Sequence, residues 1–392
     1  MVCKGAGSSQ TGREKWRPIS TYNPAMLKRL YVDNFRCFVN FEYKPGQKQL
    51  LLGANGSGKS SLSEAIRLLK EFVKGRDIPF TQSSRTRWQN RPLQVFEIEA
   101  ELENGTFPYV YRVEIRYSSK VSAPTVSLER LSFGNTPLFE LSEGEMRSYI
   151  NGDVQTSFLR GEATESSMHL VAFGNPFVRL FIDWLDSVQC IKIDAYETKM
   201  DEVSDSACKY PDYELEDLPN WFSYIATSDP DGVVALRDSL RIALSGFQNL
   251  RFSTEDDGVR KLRMDFSSPE QGKFTLSLHE LSDGQRCLIA LYMVLHFLIA
   301  KGHTVFLDEP DNLISLREIQ PWLLAAEQAV EDSKGQLVLI SHHPEILNQW
   351  AQEYGLRFFR EENGHVRTEP FKTDPDGLLQ PSELIARGWG NE

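Results

Sequence analysis

The amino-acid sequence predicts an α/β fold carrying an antiparallel β arm and a mainly helical insert. Three observations lead there. An apolar run at Gln49–Leu52 enters a glycine-rich turn and leaves it into helical spacing, with Leu62, Ala65, Ile66 and Leu69 on one face. Apolar residues alternate with polar ones between about Val95 and Leu141. From Phe274 onward short apolar strands, Thr304–Leu307 and Leu337–Ile340, alternate with helical stretches, as in a sheet wrapped by helices.

The elements follow in chain order. Residues 1–25, rich in Gly, Ser, Thr and basic groups, read as a flexible N-terminal extension. The core is expected over 26–90 and 270–372. It opens with a strand holding Leu27, Leu30, Val32 and Phe35, and a second strand follows the Phe35–Phe38 turn. The antiparallel arm is placed at 91–144, with Asn104-Gly105 as a hairpin signal. The helical insert spans 145–269 and contains an acidic segment, Glu197–Asp217, read as a solvated loop. Prolines at 79, 92, 108, 124, 137, 176, 211, 219, 230 and 269 exclude long coiled-coil arms between these parts. Residues 373–392 form a C-terminal tail.

Composition narrows the function classes. The 392-residue chain has a formal net charge of −12, so nucleic-acid contact would need a local basic patch. Cys3, Cys37, Cys190, Cys208 and Cys287 form no C-x-x-C pair, which reads as reduced thiols in a cytoplasm. The apolar stretch Cys287–Ala300 is short for a bilayer and suits a buried helix. No membrane partner is expected.

Chemistry concentrates in four segments. Gly53-Ala54-Asn55-Gly56-Ser57-Gly58-Lys59-Ser60 fits G-x-x-x-x-G-K-[ST] in full. Glycines let backbone N–H groups curl around a phosphate, and the helix that follows presents its positive end to the anion. Lys59 can reach β- and γ-oxygens and Ser60 can ligate Mg²⁺, so ATP and Mg²⁺ are the expected ligands. Leu281-Ser282-Asp283-Gly284-Gln285 opens the apolar helix. Thr304–Leu307 runs into two carboxylates, Asp308 and Glu309. Leu337–Ile340 runs through Ser341 into His342 and His343.

In this order the four segments resemble the ABC ATPase superfamily, with LSDGQ as its signature, FLDEP as Walker B and a switch histidine. The opening strand and FRCF turn are similar to the RecF/SMC-like branch, which includes the compact AAA-type ATPases of bacterial anti-phage defence and overcoming-lysogenisation systems. The resemblance covers roughly residues 27–70 and 275–350. It implies nucleotide contacts from Gly53, Ala54, Asn55, Gly56, Ser57, Gly58, Lys59, Ser60 and Ser61, and Mg²⁺ at Ser60 and Asp308. Glu309 is implied as general base and His342, in preference to His343, as the switch. Ser282, Gly284 and Gln285 are expected to face the γ-phosphate held by a second subunit, so a homodimer or higher oligomer is implied. A Mg²⁺-sensing glutamine is expected after the first helix, and Gln82 and Gln89 remain open for that role. Asp311 and Asn312 stand where the family signals between sites, while Ser315 departs from its usual Asp or His.

Few residues follow His343, and no carboxylate cluster among them suits a two-metal nuclease. The leading expectation is an ATPase sensor or regulator of a defence system, acting on a separately encoded effector such as a nuclease. A RecF-like DNA-repair ATPase and an ATP-dependent assembly scaffold are the alternatives. Arg85, Arg87 and Arg91, with Trp88 among them, read as a solvated loop near the nucleotide, with nucleic-acid contact as the lesser reading.

Overall fold

The computed structural model describes residues 25–75, 80–102, 107–118, 123–150, 152–159, 161, 163–193, 200, 203–254, 259–312, 314–374 and 378–388. The expected extension before Ala25, the Asn104-Gly105 turn and part of the acidic segment lie outside these residues.

A six-stranded sheet forms the core, in the order Gln189–Lys192, Thr304–Asp308, Gln336–Ile340, Lys48–Leu52, Gly355–Arg360, Val366–Pro370. The first five run parallel and the last is antiparallel. Strands Thr304–Asp308 and Gln336–Ile340 are buried at every position, as parallel strands covered on both faces must be. Their registered pairing places Asp308 beside Ile340. Two motif-bearing strand ends thus meet at one edge of the sheet, where α/β folds bind ligands.

The helix Lys59–Val73 covers this sheet with Leu62, Ala65, Ile66, Leu69, Phe72 and Val73. The helix Asp283–Phe297 is buried at ten of its positions, within a core it shares with Trp221, Trp322 and Trp350. Counted with its flank to Lys301, this segment is long and apolar enough to cross a membrane, yet 67% of it is buried inside the protein.

The antiparallel arm is larger than expected. Its eight strands run Phe41–Tyr43, Met26–Asp33, Leu93–Glu101, Tyr109–Arg116, Thr125–Phe133, Thr136–Ser142, Glu145–Ile150 and Asp153–Leu159. The opening strands assigned to the core therefore pair into the arm, and the arm continues past 144. Every residue of Asp153–Leu159 is exposed, so its sequence carries no buried-face alternation to reveal it.

The expected helical insert is correspondingly mixed. Its helices Met168–Val171, Pro176–Ser187, Leu218–Ser228 and Pro230–Ala243 share residues 145–269 with strands. Pro176, Pro219 and Pro230 stand in the first turns of their helices, where the missing N–H costs nothing. Strands Val203–Ser204, Phe247–Thr254 and Arg260–Ser268, joined by Gly272–Ser277, make a third sheet.

The acidic segment is more than a solvated loop. Met200 and Leu215 are buried, and Tyr213 lies under the Arg67 guanidinium at 3.7 Å. In the C-terminal tail, the helix Pro381–Ala386 buries Leu384, and the Ser382 N–H donates to Asn348 at 3.0 Å.

Candidate functional site

The glycine loop joins strand Lys48–Leu52 to helix Lys59–Val73, and its backbone shape depends on glycine. Gly53 has φ +138°, and a Cβ there would stand 2.3 Å from the Phe358 carbonyl oxygen. Gly58 has φ +109°, and a Cβ there would meet Cys37 Sγ at 3.0 Å. Gly58 caps the helix without any side-chain hydrogen bond, which leaves first-turn N–H groups for an anion.

Lys59 is buried, and its Nζ donates to the carbonyls of Gly53 at 2.6 Å and Ala54 at 3.2 Å. Burial holds the ammonium below the usual lysine range, with Asp308 and Glu309 opposing that shift. The Ser57 hydroxyl is buried with no hydrogen-bond partner. A buried cation held by two backbone carbonyls of a glycine loop fits a polyanion that would replace them, whereas Ser57 does not line the cleft.

Asn55, Gly56, Gly58, Lys59, Ser60, Ser61, Asp308 and Glu309 line one cleft of about 560 Å³. Asp308 is buried, and burial pushes its carboxyl above the usual range; the Ser60 hydroxyl bonded to it pulls the other way, and Glu309 adds repulsion. A hydroxyl and a carboxylate in contact are oxygen donors suited to Mg²⁺, which takes its other ligands from water and phosphate. Among the described residues no cluster of three or more His, Cys, Asp or Glu side chains could hold a metal alone.

Glu309 adopts the left-handed conformation, φ +50°, and its N–H donates to Ile340 O at 2.8 Å. One of its carboxylate oxygens accepts from Asn312 at 3.2 Å. Burial, followed by the Lys59 charge, holds the His342 ring below the usual imidazole range, while Glu309, Asp311 and Asp308 oppose this. His342 thus lies within electrostatic reach of Lys59, Asp308, Glu309 and Asp311, although it does not line the cleft itself. His343 is used differently: its Nδ1 accepts from Glu345 N at 3.3 Å and caps the helix Pro344–Tyr354.

Ser282, Gly284 and Gln285 do not line the cleft. They form a capping box at the start of their helix: Ser282 Oγ accepts from Gln285 N at 3.3 Å, and Gln285 Oε1 accepts from Ser282 N at 3.0 Å. Neither Gln82 nor Gln89 lines the cleft; Gln82 accepts from Arg85 at 2.5 Å, and Gln89 sits 3.4 Å from a His365 ring nitrogen. Asp311 is buried, with burial pushing its carboxyl up and a Ser341 hydrogen bond opposing. Ser315 caps the helix Leu316–Ser333 through a box with Glu318.

Sequence reading missed Arg36, Cys37 and Arg360, which line the same cleft as the glycine loop. Arg36 stands in the tight Phe35–Phe38 turn with φ +49°, and Arg360 ends a strand next to Lys48–Leu52 in the sheet. The FRCF turn was the available signal for the first two. Nothing local marked Arg360.

Comparison with known proteins adds the family context. Residues 222–348 match the family described as "AAA domain, putative AbiEii toxin, Type IV TA system". That segment holds the signature, the acidic strand end and the histidine, but not the glycine loop. No curated protein sequence matches the chain. A crystal structure of an Smc head bound to the C-terminal winged-helix domain of ScpA is 13% identical with a TM-score of 0.55, covering 90% of this chain and 99% of that one. An SMC head domain from Thermotoga maritima is 15% identical with a TM-score of 0.46, over 88% and 99% of the two chains. An Smc head domain with an extended coiled coil, bound to the C-terminal domain of ScpA and derived from Pyrococcus furiosus, gives 12% and 0.49, over 93% and 98%. The protein therefore has the fold of an ABC/SMC-like ATPase head, with an AAA-domain match across the segment carrying three of its four motifs.

Proposed function

We propose that this chain is an ATP-hydrolysing head that closes as a dimer, or as part of a higher oligomer, around ATP and Mg²⁺. The single observation that supports it best is the convergence on one cleft of a buried Lys59, the Ser60–Asp308 pair and Glu309. Gly53–Ser61 would wrap the phosphates with backbone N–H groups, and Lys59 would trade its carbonyl partners for β- and γ-oxygens. Ser60 and Asp308 would hold Mg²⁺, which when bound offsets charge on the phosphate oxygens. Glu309, raised off the strand by its backbone turn, would accept the proton of the attacking water. His342 would steady that water and the γ-phosphate.

The proposed cleft lacks the signature residues, which supports their use in trans: Ser282, Gly284 and Gln285 would meet the nucleotide of another head. The biological output proposed is regulation of a cytoplasmic bacterial anti-phage defence system through a separately encoded effector, plausibly a nuclease. The family description of residues 222–348 supports a toxin–antitoxin or abortive setting. The Smc head that binds a winged-helix domain supports a head with a docked protein partner.

The reading is tested by calorimetry and phosphate release on two variants. Lys59→Ala removes the counter-charge and is expected to abolish ATP binding. Glu309→Gln is expected to keep ATP bound and lose turnover by about 10²- to 10⁴-fold, the usual contribution of a positioned base. Unchanged ATP affinity in the first variant, or unimpaired turnover in the second, contradicts the proposal.

A further inference from the structure

Trp88 differs from the other described tryptophans. Trp184, Trp221, Trp322 and Trp350 are buried, whereas Trp88 is 48% exposed and lines the cleft that holds Lys59 and Asp308. A large aromatic surface left open in a cleft contributes little to folding and is available to a ligand.

The indole is nevertheless held in place. The Arg360 guanidinium carbon lies 6.0 Å from its ring centroid, and that guanidinium donates to the Gly56 carbonyl at 2.7 and 2.9 Å. Gly364 backs the six-membered ring, since a Cβ there would come 3.7 Å from Cζ2. Upstream, Thr86 Oγ1 donates to Phe38 O at 3.2 Å, which ties this loop to the Phe35–Phe38 turn. That turn in turn packs against Gly58 through Cys37 and Phe38. The ring is thus tied through Arg360 to Gly56, and the loop that carries it through the Phe35–Phe38 turn to Gly58.

We propose that the exposed face of Trp88 is the platform on which the adenine base of bound ATP stacks, so that Trp88 sets affinity for a nucleotide over bare polyphosphate. The inference rests on the ATP reading above and adds the base subsite to it. Nucleic acid fits less well. Of the neighbouring cations, Arg91 is committed to both Asp33 oxygens at 2.7 and 2.9 Å, and Arg85 to Gln82 and the Arg91 carbonyl. Arg36 pairs with Glu64 and Arg360 with the Gly56 carbonyl, which leaves Arg87 among the described cleft arginines to meet a phosphate backbone, and the chain's net charge is −12.

The test uses the full chain, with ATP–Mg²⁺, inorganic tripolyphosphate and single-stranded DNA as probes. Trp88→Ala is expected to weaken ATP about ten- to a hundredfold and leave tripolyphosphate unchanged. Trp88→Phe, which keeps a stacking face, is expected to hold ATP within about threefold. Tryptophan fluorescence should be quenched by ATP in the parent chain and not in Trp88→Phe. The proposal is overturned if Trp88→Ala binds ATP like the parent, if it loses ATP and tripolyphosphate equally, or if it loses only DNA. A parent chain that binds neither ATP nor tripolyphosphate overturns the ATP reading, and the base platform with it.

Discussion

Glu309 occupies a backbone region that costs a non-glycine residue about 1–3 kcal/mol. The cost is offset by the N–H it donates to Ile340 and by the buried strand that precedes it. The turn lifts its carboxylate out of the Asp308 strand line, so neighbouring carboxylates take different surroundings: Asp308 buried and Glu309 half-exposed over the cleft. Residue chemistry also shapes the pH response outside the cleft. His303 packs edge-on against Tyr210, and burial, aided by Lys209 and Lys70, pushes its ring down to about 4. A histidine depressed in the folded state binds its proton more readily unfolded. Stability should therefore fall as pH drops from about 6.5 to about 4, by at most about 3 kcal/mol from this group. Urea denaturation of the parent and His303→Gln across that window checks it: the variant should lose part of the slope, and equal slopes would contradict the assignment. The motif residues were legible in the sequence because phosphate and Mg²⁺ demand fixed residue types at fixed spacing. Arg36, Cys37 and Arg360 were not, because a tertiary turn and a neighbouring strand bring them to the cleft, whereas the loop of Arg85, Arg87 and Trp88 reads as near the nucleotide and does line it.

At the scale of elements, the signature helix has two separable duties. Ser282 completes a capping box within its own chain, worth about 1 kcal/mol if removed. It is also the residue proposed to meet a second head's nucleotide. Ser282→Ala is expected to lower both stability and turnover. Ser282→Asp restores a good cap but sets a carboxylate against the phosphates, so stability should return while turnover does not. Thermal denaturation beside phosphate release distinguishes these; turnover that simply follows stability would reduce Ser282 to a cap. Elements buried on both faces, such as Thr304–Asp308, were readable from their unbroken apolar runs. Gln189–Lys192 also pairs into the parallel sheet, but four residues following a helix carry too little pattern to be separated from it. The strand Asp153–Leu159 failed for the opposite reason, since none of its side chains is buried.

At the scale of the whole molecule, the cleft is half of a site in the proposed mechanism. One end of the parallel sheet gathers the phosphate loop and the acidic pair on one cleft, with His342 in electrostatic reach of both, while the signature opens a separate helix whose exposed cap does not line that cleft. The arm and insert are compact, with Phe96, Tyr111 and Phe139 buried in one core and Trp221 in the other. The motion proposed for this compact architecture is ATP-driven association of heads. The most direct test is the mass of Glu309→Gln in solution with and without ATP–Mg²⁺, by light scattering. The account predicts a shift from the 44.8 kDa monomer to twice that mass on adding ATP, and no shift when Lys59→Ala is added to the same chain. A Glu309→Gln chain that binds ATP by calorimetry yet stays at the monomer mass would contradict it.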